Sequence, residues 1–176
     1  TPGFATGAKP DMEQAAALLR PLVASGRATR DAALALADNL QFLAHAQSNP
    51  ADGVVLCEES RQILAAMGAL DLKDLTAASI YGDVTDSQSR MVQRLGQTDE
   101  AERLAGIVSE MAQKVLAVRP GDLRAMKNRF NSADMLAQVA ADRHDLDKAE
   151  ANYEKAVASA GSYVQFNPAD SEGWRS

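Results

Sequence analysis

Basic side chains crowd into one short stretch of an otherwise acidic chain. Arg119, Arg124, Lys127 and Arg129 fall within eleven residues, opposed there only by Asp122. Lys127 and Asn131 are four apart, so on a helix they share a face, with Asn128 beside them. Lys supplies charge and the Asn amide supplies a directional donor, a pairing suited to holding an anionic group. The alternative is an ordinary solvated basic face. The stretch 48 residues earlier carries Ile80, Asp83 and Asp86 in comparable places, so the basic pattern is not repeated there.

Other chemistries find less support. The single cysteine, Cys57, precludes an internal disulfide and a thiolate metal site, and Glu58 and Glu59 beside it oppose a lowered thiol pKa. His144 lies in a tight turn, Arg143-His144-Asp145, which reads as solvated with Asp145 as a helix cap. His45 has only Asp38 as a nearby acid, which makes a zinc site an unsupported reading. No Gly-rich phosphate loop and no Gly-x-Ser-x-Gly elbow occurs. No catalytic residue, metal ligand or cofactor is expected.

Seven helical stretches are predicted to position these groups: 11–25, 29–47, 52–67, 72–97, 98–118, 122–143 and 145–166. Each carries apolar residues at helical spacing, such as Leu36, Leu40 and Leu43, and alternation of the strand kind never persists. Gly82, followed by Val84 and Thr85, makes the middle of the fourth stretch its weakest part. Residues 1–10 read as a disordered lead-in, and 11–176 as one helical domain. The stretch from Asp74 matches the stretch from Asp122, 48 residues on: Asp86 meets Asp134, Asp99 meets Asp147, and Ala101-Glu102 meets Ala149-Glu150. A fixed period of this size means stacked supersecondary units. The expected hairpins span 28–68, 72–118 and 122–166, with partial repeats at both ends. The last helix is expected to dock on the two before it through Ala149, Tyr153 and Ala156.

Within 145–157, the run Asp-Leu-Asp-Lys-Ala-Glu-Ala-Asn-Tyr-Glu-Lys-Ala-Val, closed by Asn167-Pro168, resembles the second helix of a tetratricopeptide repeat. Ala149, Tyr153, Ala156 and Pro168 match its order of small, bulky and closing residues, and Trp174 stands where that family often opens a new repeat. The period of 48 exceeds the family's ~34. The resemblance implies an all-α, right-handed α-solenoid of antiparallel hairpins, TPR-like with longer-than-standard helices. It also implies a non-catalytic scaffold that binds protein or peptide on the face lined by first helices, where Arg124, Lys127, Asn128 and Asn131 could grip a peptide carboxylate. The rival expectation is a regulatory or sensor region of a bacterial signalling enzyme or transcription regulator.

A net charge of −6 argues against nucleic acid as the partner, since phosphate binding needs excess Lys and Arg. No stretch approaches the ~20 apolar residues of a membrane span, so no membrane insertion is expected. A reducing, cytoplasmic setting fits one cysteine, with a periplasmic one left open. The chain opens on Thr1 and reads as a piece of something longer. An apolar C-terminal end built from Tyr163, Phe166 and Trp174 is expected to support weak homodimerisation.

Overall fold

The computed structural model describes residues 3–167, with side chains from Lys9 onward. Among the described residues the chain forms helices and no strand: α1 (Gly3–Ala24), α2 (Arg30–His45), α3 (Pro50–Ala66), α4 (Leu75–Arg94), α5 (Thr98–Val118), α6 (Leu123–Asp142) and α7 (Leu146–Phe166). Short polar side chains set most of the starts. Thr29, Asn49, Asp74, Asp122 and Asp145 each accept a hydrogen bond from a backbone N–H of the first turn, supplying a partner the helix itself cannot. Gln97 makes no such bond, but Asp99 and Glu100 place negative charge at the positive end of α5.

Helices α4 and α6, which begin 48 residues apart, also end alike. Gly96 (φ +76°) and His144 (φ +60°) occupy the left-handed position just after each helix. A non-glycine residue there carries strain, which the local turn bonds from His144 N to Ala141 O and Asp145 N to Ala140 O offset.

Two expectations are corrected. Helix α1 starts at Gly3, inside the stretch expected as a lead-in, and runs through both Pro10 and Pro21. Each proline removes one backbone bond, but Met12, Ala16, Leu19 and Val23 pack against Leu36, Leu40 and Leu43 of α2, and Asn39 Nδ2 donates to the Met12 carbonyl at 2.8 Å. Docking outweighs local propensity there. Tyr153 does not enter a joint with α5 and α6. Helix α7 packs on α6, burying Ala149 and Ala156, and reaches α5 through the Lys148–Glu102 ion pair, while Tyr153 is 43% exposed. Tyr153 lies about 50° around α7 from the Ala149–Ala156 line, turned toward solvent.

The packing follows chain order. Each helix packs on the next, and in addition the backbones of α2 and α4 and of α4 and α6 come close, whereas those of α3 and α5 and of α5 and α7 stay further apart. Helix α4 is therefore enclosed by α2, α3, α5 and α6. Its Ile80, Tyr81 and Val84 join Leu64, Met111 and Val115 in the largest core cluster. Ala105 of α5 meets Met135 and Val139 of α6 in a second. A fully buried side chain such as Leu64 contributes roughly 1.5–3 kcal/mol.

Gly82 does not weaken α4; it admits α6. A Cβ at position 82 would lie 2.5 Å from Asn128 Nδ2. Gly→Ala inside an exposed helix stabilises by roughly 0.5–1 kcal/mol. Here Gly82→Ala is expected to destabilise by about 1–3 kcal/mol, because Asn128 is buried and held to the Ser79 carbonyl. The urea midpoint decides the sign, and adding Asn128→Ala, which removes the obstructing amide, should recover part of the loss.

Candidate functional site

Because α2, α4 and α6 adjoin, one row of each contributes to a shared polar face. Asp38, Gln41 and His45 lie at three- and four-residue spacing on α2, Asp83, Ser87 and Arg90 on α4, and Arg124, Lys127, Asn131 and Asp134 on α6. One guanidinium spans all three helices: Arg124 Nη1 lies 3.2 Å from Asp38 Oδ1 and 3.2 Å from Asp83 Oδ2. Gln41 Nε2 donates to Ser87 Oγ at 2.9 Å, and His45 Nε2 lies 3.0 Å from the same oxygen. Asp86 Oδ2 accepts from Asn131 Nδ2 at 3.0 Å and from Arg90 Nε at 3.2 Å.

The four residues singled out on α6 therefore occupy different situations. Asn128 is 1% exposed and donates to the Ser79 carbonyl at 3.1 Å, so its amide joins helices. Arg124 and Asn131 stand at the polar face but already hold carboxylates of α2 and α4. Lys127 is exposed and in no ion pair among the described residues, and its charge acts on both Asp83 and Asp86. Of the remaining basic cluster, Arg119 pairs with Asp122 at 3.1 Å and Arg129 Nε donates to Ser159 Oγ at 3.2 Å. At the C-terminal end Tyr163 is buried against α6, Phe166 is 58% exposed, and Trp174 lies outside the described residues.

Two features of this face escape a sequence-level reading. Phe42 is 58% exposed on the shoulder it shares with Asp38 and His45. Its signal was available, since it falls off the Leu36–Leu40–Leu43 stripe. The second is a pair of carboxylates, Asp83 and Asp86, set among three packed helices. Burial pushes Asp83 up to about 7, against the countercharge of Arg124 and Lys127. Burial raises Asp86 as well, against Arg90. His45 is pushed down, first by burial and then by Arg94.

Nucleophilic chemistry gains no support from the thiol. Cys57 is fully buried, and burial pushes it up to about 12. Among the described residues no group of three or more His, Cys, Asp or Glu side chains could hold a metal ion, and no helix is long and apolar enough to cross a membrane. Lys127 and Phe42 give this face an exposed cation and an exposed aromatic ring. No protein-family model, curated protein or solved structure matches the chain.

The raised Asp83 has a signed consequence. Between its ordinary value of 3.8 and about 7, the folded chain keeps a proton that the unfolded chain has released. That contribution to stability is complete at the acid end and is lost as pH rises through about 7. Asp83→Asn, which cannot titrate, should gain stability relative to the native chain as pH is raised from 5 to 8, by no more than about 1.4 kcal/mol per pH unit. Urea unfolding of both proteins across that range measures it, and a pH-independent difference would place Asp83 in water.

Proposed function

We infer that the chain is a segment of a TPR-like, right-handed α-solenoid and acts as a non-catalytic scaffold that binds protein or peptide on the face shared by α2, α4 and α6. The observation that carries this reading is the unequal contact between alternate helices. The backbones of first helices approach one another closely, whereas second helices meet only through side chains, as in the Arg20–Glu59 and Lys148–Glu102 pairs. Stacked hairpins with one layer drawn together and the other spread apart curve, and the drawn-together layer becomes the concave side. That layer carries the polar face, with Lys127 unpaired and Phe42 exposed. The internal repeat supports the same architecture, because Asp74 and Asp122 cap equivalent helices of successive units.

Lys127 and Phe42 are suited to testing the reading, since neither is part of the core. A peptide array probed with the native protein, with Lys127→Glu and with Phe42→Ala should yield a set of peptides whose binding weakens about tenfold in each variant, the effect of losing one interface anchor. Circular dichroism should be unchanged. Peptides that bind all three proteins equally would remove the α2–α4–α6 face as the binding surface.

A further inference from the structure

On the side of α6 opposite the polar face, the seam between α5 and α7 is open. A cleft of about 370 Å³ there is lined chiefly by Ser109 of α5, Arg129 and Ala133 of α6, and Lys155, Ser159 and Ser162 of α7. Past Arg129 and Ser162 it continues into a second hollow of about 290 Å³, where Leu116, Met126 and Phe166 supply apolar surface. No carboxylate lines either part, and neither cation is in an ion pair among the described residues, although the chain carries a net charge of −6. The guanidinium is fixed in place. Its Nε donates to Ser159 Oγ at 3.2 Å, and Ser159 in turn donates to the Lys155 carbonyl at 2.7 Å. Both terminal nitrogens of Arg129 are left to donate to an anion.

The internal repeat shows that this opening belongs to one seam only. One period earlier, Arg61, Tyr81, Ile107 and Met111 stand at the positions of Ser109, Arg129, Lys155 and Ser159. They close the α3–α5 seam from within. Tyr81 and Met111 are buried in the largest core cluster, Ile107 packs on it, and Arg61 lies over the Tyr81 ring, 5.1 Å from its centre. Glu58 neutralises Arg61 at 3.2 Å, whereas the counterpart of Glu58 in the later seam is Gly106. The earlier seam therefore needs no added segment to fill it. In the α5–α7 seam small side chains replace the fillers, and two positive charges have no counterpart in the protein.

We propose that this cleft binds a small phosphate monoester, with the phosphate between Arg129 and Lys155 and the apolar part of the molecule along Leu116, Met126 and Phe166. Two cations match the charge of a phosphate dianion, where a carboxylate would balance only one of them. The guanidinium fork suits two phosphate oxygens at once, and the space suits a small molecule. The site lies across α6 from the α2–α4–α6 face and does not depend on the function of that face.

The probe is phenyl phosphate, titrated calorimetrically into the full chain at a pH where the phosphate is dianionic. Saturable binding is expected, about tenfold tighter than that of inorganic phosphate, which lacks the ring, or of benzoate, which lacks the second charge. Arg129→Gln and Lys155→Gln should each weaken it about tenfold, whereas Lys73→Gln, which removes the same charge elsewhere, should not. Ser109→Leu, which fills the cleft without touching a charge, should abolish it. Circular dichroism establishes that each variant is folded. No binding by the native chain, equal binding of inorganic phosphate, or binding indifferent to both Arg129→Gln and Lys155→Gln would overturn the proposal. Binding that emerges only after Asp170→Asn and Glu172→Gln would assign the two cations to the chain's own last residues, and would overturn it too.

Discussion

Gly82 leaves room on α4 for the Asn128 amide of α6, and a Cβ there would lie 2.5 Å from Asn128 Nδ2. The backbone approach this permits lets α6 touch α4 as well as α5, so that α4 is packed by α2, α3, α5 and α6 and reaches the surface along its Asp83–Arg90 row. An enclosed helix is ordinarily apolar all round. This one is instead rich in small hydroxyl residues, most of which satisfy themselves: Thr85 donates to the Tyr81 carbonyl, Ser87 to Asp83 and Ser89 to Asp86, while Ser79 lies between the Leu75 carbonyl and the Asp122 carboxylate. Returned to their own helix, these hydroxyls cost little on burial and occupy little volume, and neighbouring helices can come near.

The polar seam has an energetic cost that apolar packing would avoid. Asp86 Oδ1, Asn128 Oδ1 and, between α3 and α4, Arg61 Nε are buried without a hydrogen-bond partner, each worth roughly 1–3 kcal/mol of lost solvation. What the seam supplies in return is register. Arg124 finds Asp38 and Asp83 together only when α2, α4 and α6 are aligned as they are. Asn131 finds Asp86 under the same condition, and Arg61 of α3 reaches Gln88 Oε1 at 2.9 Å and the Tyr81 hydroxyl at 2.7 Å only when α3 and α4 are in register. A slip of one helical turn would leave several charges buried and unpaired, at several kcal/mol.

The same alignment separates two kinds of surface. The first helices present charge that is nearly balanced internally, with Lys127 outside any ion pair. The far side of α6 presents the cleft between α5 and α7, where Arg129 and Lys155 meet no carboxylate. Substitutions on one are separated from the other by α6 and should act independently.

Much of the local architecture was legible in the sequence, because helix boundaries depend on residues adjacent in the chain. Thr29, Asp74, Asp122 and Asp145 cap their helices through bonds spanning two or three residues, α5 lies at the expected 98–118, and the 48-residue period marked equivalent hairpins. What escaped involved partners distant in sequence. Gly82 read as a weak point of α4, since its reason is an amide 46 positions away. Arg124, Asn128 and Asn131 read as one binding face, since nothing local reveals that Asp38, Ser79 and Asp86 already hold them. Tyr153 read as a core residue because spacing identifies an apolar side of α7 but not whether a helix lies against it. Composition, caps and periodicity thus determined that the chain is helical, where its helices start and that they repeat. Only the tertiary packing decided which polar groups are spent in joining helices and which remain exposed, because burial and ion pairing depend on what is brought near in space.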